Sequence, residues 1–90
     1  MLRITTDETS QALTLRLEGT LCGPWVAVLG QCFSIALTQL RGRRLCVDLN
    51  DVTFIDPAGK AKLAEMHAQG SELLADDIET KALIAEIVGK

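Results

Sequence analysis

Residues 44–60 read RLCVDLNDVTFIDPAGK and contain the segment that decides how this chain folds. The stretch 44–50 is apolar on both faces apart from Asp48, which is typical of a central strand covered by helices. Asp56 and Pro57 then indicate a helix start, because Asp is a favoured N-cap residue and Pro suits the first helical position. The stretch therefore predicts a buried strand followed by a helix.

Two alternating stretches precede this strand and predict an antiparallel hairpin. Apolar and polar residues alternate over 2–6 and again over 13–17, with a polar turn at 7–10 between them. A long amphipathic helix is then expected from Pro24 to a stop signal at residues 41–42, since apolar residues recur there at three- and four-residue spacing.

Three further elements are predicted after the central strand. A helix is expected over 57–69, a short strand over 71–75, and a last helix over 78–88 capped by Asp76 or Asp77. The order is β-β-α-β-α-β-α. It predicts an α/β fold with a mixed sheet of about four strands and helices packed on one side.

Composition limits the classes of function. Ninety residues suit a single domain over residues 1–90. The net charge of −3 argues against a nucleic-acid partner, and we interpret the basic cluster 41–44 as a helix C-terminus followed by a turn. The three cysteines, Cys22, Cys32 and Cys46, form no CxxC pair and no zinc ligand set, and free thiols suit a reducing compartment.

Neither the N-terminal stretch nor the most apolar stretch of the sequence indicates a membrane segment. Residues 1–10 contain no apolar core of a signal peptide. The most apolar stretch, 21–40, holds too many polar and helix-weakening residues for a membrane span, and a buried helix is the better interpretation. We therefore expect a cytoplasmic protein without direct membrane insertion.

The junction around Asp56 offers the strongest candidates for chemistry. Asp56 could act as a catalytic acid beside Asp48, but an N-cap for Asp56 and an Asx-type turn for Asp48 are the preferred interpretations. Gly59 lies where phosphate-binding loops place a glycine, yet the Gly-rich run and the GKS/T ending of a P-loop are absent. Lys60 and Lys62 oppose the helix dipole, so they are either solvated or matched to an acidic partner surface.

The remaining reactive residues do not form a catalytic set. His67 is the only histidine, so we interpret it as a helix-surface or core-edge residue. No histidine is near Cys22 or Cys32 in sequence, and both are interpreted as small buried residues. Trp25 lies on the leucine-rich helix face and is assigned to the core. We therefore predict a protein without catalytic residues, metal or cofactor.

The segment from strand to helix resembles the STAS domain family, which includes the bacterial anti-sigma factor antagonists. Residues 45–56 (LCVDLNDVTFID) match the family's strand, which reads roughly vvlDLsgvtfiD, and Pro57-Ala58-Gly59 stands where the family has Ser-Ser-Gly or a variant. Residues 17–21 (LEGTL) are similar to the family's second strand and its GxLD turn, and residues 70–74 (GSELL) to the strand that follows the family's helix. The resemblance covers nearly the whole chain and implies a STAS-like fold.

Several positions depart from the family pattern. In the antagonists of this family, a serine just before the motif glycine is phosphorylated by a partner kinase that is also the anti-sigma factor. Here that position is Ala58, the other serine position is Pro57, a turn that usually ends in Asp ends in Cys22, and Lys60 replaces an apolar residue. The chain also stops before the family's last strand and helix, so the predicted fold is C-terminally shortened.

The resemblance implies a non-catalytic protein-interaction module in the regulation of bacterial transcription, lacking the usual phosphoserine. Its partner would be an anti-sigma factor of the serine-kinase type. A cytoplasmic subunit of an ABC-type lipid transport system and a module that senses a small ligand or anion are the alternatives, and homodimer formation is left open. The predicted partner-binding residues are Cys22, Gly23, Asp56, Pro57, Ala58, Gly59, Lys60 and Lys62.

Overall fold

In the computed structural model, which describes residues 1–89, the two N-terminal strands form the expected hairpin. Strands β1 (Leu2–Glu8) and β2 (Ala12–Leu21) pair in antiparallel register without a shift. The turn between them is closed by Thr9, whose N–H donates to the Ala12 carbonyl at 2.8 Å and whose hydroxyl accepts from the Ala12 N–H at 3.0 Å.

The strands build one mixed sheet in the order β1-β2-β3-β4, in which only the β1–β2 pair is antiparallel. The predicted fold class and element order are therefore confirmed. The remaining elements are α1 (Pro24–Thr38), β3 (Arg44–Ile55), α2 (Pro57–Ala68), β4 (Glu72–Leu74) and α3 (Ile78–Val88).

The core lies between one face of this sheet and the helices. Leu13 and Leu15 of β2 are buried opposite Leu45 and Val47 of β3, so the alternation in the sequence places these four side chains on one face. Each helix adds buried side chains to the same cluster, and the helices therefore cover this face. These side chains are Leu29, Phe33, Ala36, Leu63, Met66 and Ile87.

Helix α1 ends at Thr38, so the predicted end at residues 41–42 is wrong. Arg41 and Gly42 have φ angles of 53° and 80° in the left-handed region, and such residues cannot extend a right-handed helix. Arg43 Nε donates to the Leu40 carbonyl at 2.9 Å, which places a cation at this end of the helix as expected.

Strand β3 continues to Ile55, so the end at Asn50 expected from the apolar pattern is wrong, whereas the family strand matched to residues 45–56 agrees with the observed end. Two shifts in its register with β2 each add one residue to β3, and both are β-bulges in effect. Inside the first shift, the Asp48 carboxylate accepts from the Asn50 N–H at 2.9 Å. The Asx-type bond expected for Asp48 is confirmed, but it supports a bulge and does not end the strand.

The last helix begins at a single well-formed cap. Of the two candidates it is Asp77, whose carboxylate accepts from the Thr80 N–H at 2.9 Å and from the Thr80 hydroxyl at 2.8 Å. These hydrogen bonds lower the pKa of Asp77 from its ordinary value. None of the helices within residues 1–89 is long and apolar enough to cross a membrane.

Candidate docking surface

Asp56 joins two segments that are far apart in the sequence. One carboxylate oxygen accepts from the Gly59 N–H at 2.7 Å, which confirms the predicted N-cap. The other oxygen accepts from the Gly23 N–H at 3.1 Å, and the Asp56 N–H donates to the Leu21 carbonyl at 3.1 Å. A single acid therefore fixes the β2–α1 loop against the start of α2.

Gly59 is buried because the first turn of α2 lies directly on the ends of β2 and β3. A Cβ atom at this position would come within 2.8 Å of the Leu21 carbonyl oxygen and 2.9 Å of Ile55 Cγ2. Both distances are shorter than real Cβ contacts, so only glycine fits here without a shift of the backbone. Close packing explains why residue 59 is glycine, so a phosphate-binding role is not needed to account for it.

The predicted site residues meet at the carboxyl ends of β2 and β3. Gly23, Pro57 and Ala58 are exposed, while Cys22 and Lys60 are half-buried. We call these five residues the loop–helix surface. Because Asp56 holds both of its segments by hydrogen bonds of 2.7 and 3.1 Å, the surface is preorganised and does not have to be assembled on binding.

The two lysines differ in how available they are to a partner. Lys62 Nζ lies 3.3 Å from Glu65 Oε2, and it also lies against α1, since a Cβ on Gly30 would be 3.5 Å from it. Among the ion pairs formed within residues 1–89, none includes Lys60. Lys60 is therefore the more available cation beside the loop–helix surface.

Lys60 also lines two surface grooves next to α3. A groove of about 310 Å³ lies between α2 and α3 and includes Ala64 and Ile87. A second groove of about 510 Å³ lies between the end of β3 and α3 and includes Phe54, a residue that is 55% exposed. Phe54 was missed as a surface residue, because the apolar pattern over 44–50 does not reach it and the family strand does not say which of its side chains are exposed.

The surroundings of the other reactive side chains, the cysteines and His67, indicate structural roles. Cys46 is buried, and its thiol donates to a Glu72 carboxylate oxygen at 3.4 Å. Burial, reinforced by Glu72, raises the pKa of the Cys46 thiol. The raised pKa lowers the reactivity of the thiol. His67 Nδ1 lies 3.1 Å from the Ser71 carbonyl oxygen, at the core edge as expected. Cys22 and Cys32 are only half-buried, so their assignment as buried residues is wrong.

Trp25 is half-buried and packs against the core cluster, which places it at the edge of the core to which it was assigned. No group of three or more His, Cys, Asp or Glu side chains within the described part of the chain has the geometry to hold a metal ion. The arrangement around Asp56 offers a surface held by two side-chain hydrogen bonds, with Lys60 as its more available cation.

No model of a known protein family matches the sequence, and no curated protein does. Solved structures do match. An anti-sigma factor antagonist from Mycobacterium paratuberculosis superposes with a TM-score of 0.81 at 16% identity, covering 99% of this chain and 79% of that one. An anti-sigma factor antagonist STAS domain from Rhodobacter sphaeroides superposes with a TM-score of 0.56 at 16% identity, covering 82% of this chain and 84% of that one.

A third structure, of the protein Mglu, superposes with a TM-score of 0.65 at 20% identity over 83% of this chain. This chain spans only 19% of the Mglu chain. At such identities the likeness concerns the fold. It shows that the chain has the STAS-like fold that the sequence motif predicts.

Proposed function

We propose that this chain is a non-catalytic STAS-like module that binds a protein partner through the loop–helix surface. The observation that carries the proposal is the double hydrogen bonding of Asp56, with 2.7 Å to the Gly59 N–H and 3.1 Å to the Gly23 N–H. A carboxylate used in this way has a structural role, and it fixes a surface that includes the exposed residues Gly23, Pro57 and Ala58. Rigid presentation of an exposed surface suits recognition by another protein.

Ala58 determines how such contact is regulated. It is exposed in the first turn of α2, where a phosphate would be accessible to a kinase and favoured by the helix dipole. Its methyl side chain has no hydroxyl to phosphorylate. Position 58 of the loop–helix surface therefore stays unphosphorylated, and partner binding is governed by the amount of protein or by a change elsewhere.

Two classes of partner fit the proposal, an anti-sigma factor of the serine-kinase type and the ATPase subunit of a lipid transport system. Both are cytoplasmic bacterial proteins that would contact the same surface, and the identity of the captured protein separates them. Regulation of transcription follows from the first class only.

The test is affinity capture from a lysate of the source organism, with the bound protein identified by mass spectrometry. Ala58→Glu adds a negative charge at the helix start, which the dipole tolerates, so the fold is retained while the surface is altered. Ser10→Glu adds the same charge in the exposed β1–β2 turn and serves as the control. Loss of the partner with Ala58→Glu alone supports the proposal, and retention with both variants contradicts it.

A further inference from the structure

The free edge of β1 is a second surface, built by main-chain groups. Thr20 N–H donates to the Met1 carbonyl at 2.9 Å, and Thr9 N–H donates to the Ala12 carbonyl at 2.8 Å. These bonds fix the phase of the antiparallel ladder, in which hydrogen-bonded pairs alternate with non-hydrogen-bonded pairs. Odd-numbered residues of β1 bond to β2, and the even-numbered residues turn their N–H and C=O groups outward. These residues are Leu2, Ile4, Thr6 and Glu8.

This edge has few of the features that prevent strands from pairing. Over Leu2–Glu8 the strand contains no proline, and its register with β2 has no bulge. Its charged side chains lie near its two ends and have opposite signs, with Arg3 at one end and Asp7 and Glu8 at the other. A long regular edge of this kind is a template for another strand.

We propose that two copies of this chain pair along β1 in antiparallel orientation, about a two-fold axis at Thr5. In this register Ile4 lies opposite Thr6 of the second copy, and Leu2 lies opposite Glu8. The outward groups of all four residues are then paired across the interface, in about eight main-chain hydrogen bonds. The two four-stranded sheets become one continuous sheet.

Charge complementarity selects the second copy and this register. Arg3 lies opposite Asp7 of the other copy in a non-hydrogen-bonded pair, where facing side chains are closest, and the two-fold axis repeats the pair. Arg3 is exposed and belongs to none of the ion pairs found within residues 1–89, whereas Asp7 has one partner, Arg16, at 3.1 Å. A shift of two residues in either direction places Thr5 opposite a charge and shortens the ladder.

The pairing does not depend on the proposed partner binding. None of the five residues of the loop–helix surface belongs to β1, and β2 separates β1 from β3 in the sheet. A dimer formed in this way carries two loop–helix surfaces. Failure of partner capture and failure of dimer formation are therefore separate results.

Sedimentation equilibrium of the purified chain over a concentration series tests the proposal. The wild-type chain is expected to dimerise. Arg3→Asp and Asp7→Arg each place like charges at both ends of the ladder, and each is expected to raise the dimer Kd about tenfold. An equimolar mixture of the two variants restores opposite charges at both positions and is expected to recover the dimer.

Lys81→Asp and Glu79→Lys make the same changes in net charge on the exposed face of α3 and are expected to leave the Kd unchanged. Circular dichroism confirms that each variant is folded. A monomeric wild-type chain overturns the proposal, and so does a dimer that the β1 variants do not weaken or that their mixture does not restore.

Discussion

At the scale of single residues, Asp56 has two structural tasks. Its capping task could be predicted from sequence, because Asp followed by Pro at a helix start is a local pattern. Its bond to Gly23 could not, since the two residues are 33 positions apart and meet only when β2 and β3 lie in parallel. The residues of the predicted site therefore came from the family resemblance. Only the structure shows that the Asp56 carboxylate joins the two segments of that site.

Asp56→Ala is expected to lower the free energy of unfolding by about 2 kcal/mol, because it removes the cap and leaves the Gly23 N–H without its acceptor. Asp56→Asn keeps one oxygen acceptor, so a smaller loss is expected. Urea denaturation measures both, with Asp51→Ala at an exposed strand position as the control. Equal stability of the alanine variant and the wild type would contradict the role of Asp56.

Gly59 and Gly30 are two helical glycines whose replacement by alanine is expected to have opposite effects on stability. Gly59→Ala is expected to cost about 1–3 kcal/mol, because its Cβ meets the Leu21 main chain. Gly30→Ala, inside α1, meets only the flexible end of Lys62 at 3.5 Å and is expected to stabilise by about 0.5–1 kcal/mol. Urea denaturation compares the two, and the same sign for both would show that the contact at Gly59 is not decisive.

At the scale of elements, the sequence predicted which helices and strands form better than it predicted where they end. Apolar patterns together with helix start and stop signals identified all seven elements. The largest errors fall at the ends of α1 and β3, and a smaller one at β1, which includes Asp7 and Glu8 of the predicted turn. At α1 and β3 the outcome depends on left-handed angles at Arg41 and Gly42 and on pairing of the stretch 52–55 with β2, neither of which a local pattern specifies.

Helix α3 has a cap whose effect depends on pH. Hydrogen bonds from Thr80 lower the pKa of Asp77, so the stabilisation is complete above the ordinary value of 3.8 and is lost as the pH falls through the lowered folded-state pKa. Asp77→Ala is therefore expected to be less stable than the wild type at neutral pH, with a difference that shrinks in acid. Thermal melting over a pH series checks this, with Asp76→Ala as the control. A difference independent of pH would contradict it.

At the scale of the whole molecule, the two proposed binding surfaces lie at different places on the sheet. The edge of β1 is proposed for self-association, and the loop–helix surface for a protein partner. The resemblance to STAS domains predicted the region of the second surface, because it follows a sequence motif. It could not predict the first, since main-chain groups at a strand edge leave no motif and become visible only once the register with β2 is known.

The central claim is that a protein partner binds the loop–helix surface, and titration of the captured partner with the purified chain tests it most directly. Isothermal titration calorimetry compares the wild type with Ala58→Glu and Ser10→Glu. A new charge in a desolvated contact is expected to raise the Kd at least about tenfold for Ala58→Glu, with Ser10→Glu unchanged. Equal Kd values for all three proteins would show that the partner binds elsewhere.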